Sequence, residues 1–96
     1  MQIPPEFRDV ALKMHQDMPH LLSMKDEGEI IDYLADGVSP SKSATAAEYV
    51  DGLLRSALTA RELTTLWVEA GADFSVSVHG IVRFLTMLRD RLRQQT

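Results

Sequence analysis

The sequence predicts an all-α fold, a single compact bundle of about five helices. Helical periodicity of apolar residues recurs in five stretches, and no run of five or more residues alternates like a half-buried strand with β-branched enrichment. Helix-capping residues punctuate those stretches. With 96 residues, the chain has the size of one domain, taken as 1–96, and about 60–65% of the unfolded chain's surface is expected to be buried at that length.

The first helix is expected to open at Pro4-Pro5, since proline is tolerated in an opening turn, with Phe7, Val10, Ala11 and Met14 on one face. Pro19 should end it, because the residue before a proline is pushed out of the α region. A second helix falls within "SMKDEGEIIDYLAD", with Ser23 or Asp26 as N-cap, Ile30, Ile31, Leu34 and Ala35 facing inward, and Gly37 just past its end. Ser39-Pro40 reads as an N-cap followed by proline at the first helical position. The helix that it opens carries Ala46, Val50, Leu53, Leu54 and Ala57 as its stripe, with Tyr49 the one large apolar side chain off it.

The sharpest local signal is "LTARELTTLWVEAG". Thr59 and Glu62 have the spacing of a capping box, Leu58 and Leu63 that of a hydrophobic staple, and Gly71 stands at the stop. The last helix is expected from about Ser77, with Val78, Ile81, Val82, Leu85, Leu88 and Leu92 on one stripe and Phe84 and Met87 widening it. So wide an apolar arc belongs at the centre of a bundle.

The composition, with 45% hydrophobic and 25% charged residues, argues against disorder. No apolar run approaches the roughly 18–20 residues of a membrane span, and "MQIPPEFRDV" lacks the basic and apolar regions of an export signal. A cytoplasmic protein with no membrane partner is the expectation. The absence of cysteine removes disulfides, thiolate nucleophiles and thiolate metal sites together.

The net charge of −4 conceals an asymmetry. Residues 1–36 carry eight acids and three bases, residues 37–82 five and three, and residues 83–96 one acid and four arginines. A chain acidic outside its last helix suits a basic protein partner better than a phosphate backbone, so no nucleic-acid partner is expected.

Three candidate chemistries arise. "MHQDMPHLLSM" looks like a metal box, but His15 and His20 are five apart with Pro19 between them, whereas two ligands on one helical face need three or four. No metal and no cofactor are expected. Catalysis fares no better: no nucleophile elbow, phosphate-binding glycine loop or HExxH helix is present, and His79 reads as a first-turn residue. A non-enzymatic protein follows.

The acidic series stands out more. Asp17, Asp26, Glu27, Glu29, Asp32 and Asp36 lie within twenty residues that contain only Lys25 as a fixed positive charge. Glu29, Asp32 and Asp36 fall at i, i+3 and i+7 and share the helix face opposite Ile30, Ile31 and Leu34. Like charges so placed cost about 0.2–0.5 kcal/mol per pair. A solvated helix face is the plain reading; a basic partner would compensate the repulsion.

"HQD" closing the first helix, "EIIDYLADG", "LTTLWVEAGADF" and "IVRFLTMLRDRL" together resemble the small immunity proteins of bacterial contact-dependent growth inhibition systems, over about residues 14 to 92. Gly71 and Phe74 in the "AGADF" turn belong to the same pattern. The resemblance implies a helical protein that binds and neutralises, in the cytoplasm, the C-terminal toxin domain of a large exported effector, often a nuclease. Asp17, Glu29, Asp32 and Asp36 are then the expected toxin-facing charges, with Tyr33 as an aromatic anchor. The alternative is a small helical adaptor that docks a partner helix into an apolar groove, which would require an exposed hydrophobic patch.

Overall fold

The computed structural model describes residues 3–16, 27–71 and 79–96, with the side chains of 14–16 outside the description. The described residues form five helices: α1 (Pro5–Gln16), α2 (Glu27–Ala35), α3 (Pro40–Arg55), α4 (Ala60–Glu69) and α5 (Ile81–Arg93). They form an all-α bundle, and no strand occurs among the described residues. The expectations for the Met14 side chain, Pro19, the Ser23 or Asp26 cap, Phe74, Ser77 and Val78 lie outside the described residues.

Local chemistry accounts for most helix ends. The Ser39 hydroxyl accepts a hydrogen bond from the Lys42 N–H, and Pro40 follows it at the first helical position. At α4 both halves of the capping box form: the Thr59 hydroxyl accepts from the Glu62 N–H at 3.1 Å, and the Glu62 carboxylate accepts from the Thr59 N–H at 3.0 Å. That second bond lowers the Glu62 pKa, because it favours the ionised form. Gly37 and Gly71, just past α2 and α4, have φ of 78° and 124°, the left-handed conformation that ends a helix.

Two boundaries and one face differ from expectation. Helix α3 stops at Arg55, so Ala57 lies beyond it and is exposed. Ser56 is the cause: its backbone is extended, and both its N–H and its hydroxyl donate to the Leu53 carbonyl. Helix α5 starts at Ile81, with His79 and Gly80 in a turn, so His79 precedes the helix. Val82 is 50% exposed while Phe84 is buried, so the core stripe is Ile81, Phe84, Leu85, Leu88 and Leu92. A residue one position after Ile81 is rotated by about 100°, which carries Val82 to the flank.

Helix α5 packs against α3, α2 and α4, and α1 packs against α3 and α2. The core is strung on an aromatic chain: Phe7 lies 5.0 Å from Tyr49 and 5.6 Å from Trp67 between ring centroids, and Trp67 lies 5.2 Å from Phe84. Tyr49, off the expected stripe of α3, thus extends that core toward α1. On the flank, Asp51 joins α3 to α5, with Arg89 at 3.0 Å and Arg93 at 3.5 Å, and Arg55 of its own helix at 3.0 Å.

Candidate functional site

The outer face of α2 is where the acidic residues gather. Ile31, Leu34 and Ala35 are buried and Ile30 packs beside them, which turns Glu29, Asp32 and Asp36 outward, all three exposed. Glu29 and Asp32, at i and i+3, share the side of α2 away from the core, and Asp36 follows in the turn after it. Asp17 lies outside the described residues. Tyr33 is half-buried against the core, and the Lys13 ammonium sits 5.7 Å from its ring centroid, so part of its ring is already engaged within the chain.

The face is not a bare block of negative charge. Arg91 of α5 donates from Nε to the Asp32 carboxylate at 2.9 Å, and Arg83 lies 3.7 Å from the Glu27 carboxylate. Arginines from the basic tail thereby answer part of the acidic first third from within. Asp32 nevertheless keeps 69% of its side chain exposed, so its charge still reaches solvent.

Between α2 and α5 runs a shallow groove of about 350 Å³. Ile31 and Met87 give it an apolar floor, and Asp32, Asp90 and Arg91 stand around it. Met87, Asp90 and Arg91 come from a helix some sixty residues further along, so the acidic series alone did not point to them. Their signal in the sequence was the widening of the α5 stripe at Met87 and the arginines that follow it.

The far end of α2 is tied down by side chains from both directions. The Lys13 ammonium, from α1, donates to the carbonyls of Tyr33 (3.3 Å), Leu34 (3.2 Å) and Asp36. The Gln95 amide donates to the Ala35 carbonyl and to the hydroxyl of the buried Ser43, both at 3.0 Å, while its carbonyl oxygen accepts from Arg91 at 2.9 Å. A relay of polar contacts thus runs from Asp32 through Arg91 and Gln95 into the α2–α3 turn.

Among the described residues no group of three or more His, Asp or Glu side chains is placed to hold a metal ion. His20 and Asp17 of the "MHQDMPHLLSM" stretch lie outside those residues, as does the side chain of His15. No helix of the described residues is long and apolar enough to cross a membrane. Exposed large apolar side chains there are Val68 and Val82, at 46% and 50%. Comparison with protein-family models, with curated proteins and with solved structures finds no match to this chain.

Proposed function

We propose that this protein is an immunity protein that binds the C-terminal toxin domain of a contact-dependent growth inhibition effector in the cytoplasm and neutralises it stoichiometrically. The observation that carries the reading is the exposed series of Glu29 and Asp32 on α2 and Asp36 just after it, beside a groove with an apolar floor. A nuclease toxin must offer a basic surface to its phosphate-bearing substrate. An acidic face seated on that surface excludes substrate by bulk and by charge. The charges speed encounter and set specificity, while an apolar side chain of the partner entering the groove over Ile31 and Met87 limits dissociation.

An adaptor that docks a partner helix has less support, because Val68 and Val82 give such a helix little exposed apolar surface among the described residues. The test is co-expression with the toxic protein encoded immediately upstream. The expected result is a stable complex and loss of toxicity; a demonstrably toxic neighbour that neither binds nor is silenced overturns the reading.

A further inference from the structure

We propose that α2 is a separable lever whose docking is set by a two-sided polar clasp, Lys13 from α1 and Gln95 from the segment after α5, closed on the carbonyls at its C-terminal end. The inference concerns the fold alone and stands or falls separately from the choice of partner.

The last four carbonyls of a helix have no partner within it. The carbonyls of Tyr33, Leu34, Ala35 and Asp36 at the C-terminal end of α2 each receive a side-chain donor, Lys13 on the first, second and fourth and Gln95 on the third, and those of Tyr33 and Ala35 also accept from the Asp36 and Val38 N–H groups, both at 3.3 Å. An ammonium has three hydrogens, so Lys13 spends all of its donors here. Its positive charge also lies at the negative end of the helix dipole. Gln95 is likewise committed on both sides of its amide, donating to Ala35 and Ser43 and accepting from Arg91.

Helix α2 is nine residues long and buries three apolar side chains, Ile31, Leu34 and Ala35, whereas α3 and α5, at 16 and 13 residues, bury four and five. A helix so short is marginal without tertiary support. The clasp supplies that support from both sides, and it sets how Glu29, Asp32 and Asp36 are presented, since the first two ride on α2 and Asp36 follows it directly. Opening of the clasp releases α2 while the α3–α5 core stays closed.

Residue-resolved amide hydrogen exchange on the full chain tests this, because local and global opening leave different patterns. Lys13→Met removes the ammonium but keeps the stem; Gln95→Ala opens the other side near the chain terminus and decides the matter if Lys13→Met does not fold. The expected result is that amides of Ile31–Ala35 exchange about tenfold faster or more in either variant, and that this factor exceeds that of Ala46–Val50 and Phe84–Leu88 by at least about threefold. An acceleration shared evenly among α2, α3 and α5, or unchanged exchange in α2, overturns the proposal.

Discussion

The Arg91 guanidinium lies 2.9 Å from the Asp32 carboxylate, across 59 residues of sequence, and makes α5 the internal counterpart of the acidic α2 face. Both side chains are open to water, Asp32 at 69% and Arg91 at 30%, so solvent screens the pair. A double-mutant cycle with Asp32→Asn and Arg91→Gln, read by chemical denaturation, is expected to give a coupling of about 0.2–1 kcal/mol, in the range of exposed ion pairs. The pair therefore orients the face more than it stabilises the fold.

Asp51 behaves differently. Its side chain is 14% exposed, and guanidinium groups of Arg55, Arg89 and Arg93 surround it, tying α3 to α5 across the largest helix pairing in the bundle. Asp51→Asn leaves those cations without their shared counter-charge. It should lower Tm by several degrees, and clearly more than Arg55→Gln, whose side chain is 80% exposed. Thermal denaturation of the two variants checks the order.

The Tyr49 hydroxyl is buried without a hydrogen-bond partner among the described residues, and burial raises its pKa against the opposing pull of Arg8. Tyr49→Phe removes an unsatisfied group but keeps the ring on Phe7, so stability at neutral pH should be unchanged or gain up to about 1 kcal/mol. A raised folded-state pKa means that the neutral phenol favours the folded state. That contribution is complete below the ordinary tyrosine pKa of about 10 and is lost as pH rises past it. The Phe variant should accordingly lose less stability than wild type as pH rises above about 10.

The two left-handed glycines predict unequal costs. An added Cβ at Gly37 meets nothing within 4 Å, whereas at Gly71 it would come 2.6 Å from Leu12 Cδ2 on α1. Gly37→Ala should cost about 1–2 kcal/mol, from the backbone alone. Gly71→Ala adds displacement of Leu12 and should cost more, about 2–4 kcal/mol, in equilibrium unfolding. Equal costs would mean that Leu12 yields without resistance.

These residues also show what a sequence can disclose. The caps at Ser39, Thr59, Gly37 and Gly71 were legible because each depends on residues within four positions of itself. The inward positions Phe7, Val10 and Ala11 of α1 and Ile31, Leu34 and Ala35 of α2 were legible from their spacing. Ala57 was misplaced where a local competitor decided, Ser56 bonding back to Leu53 and ending α3, and Val82 was misplaced because packing buries Ile81 and Phe84 and leaves its position on the flank of α5. On the candidate face the spacing of Glu29, Asp32 and Asp36 was readable. Their internal partners were not, since Lys13, Arg91 and Gln95 reach α2 from positions about 20 to 60 residues away, and only the folded topology brings such donors together.

Engagement of a basic toxin domain by the outer face of α2, as proposed, is tested most directly by association kinetics with the toxic protein encoded upstream. The variant to use is Glu29→Lys with Asp36→Lys, which spares Asp32 and its contact with Arg91. At low ionic strength its association rate constant should fall about tenfold or more below wild type, and the gap should close as salt is raised toward about 0.5 M. Wild-type association at low salt in that variant, with the same salt dependence, would contradict the assignment of this face.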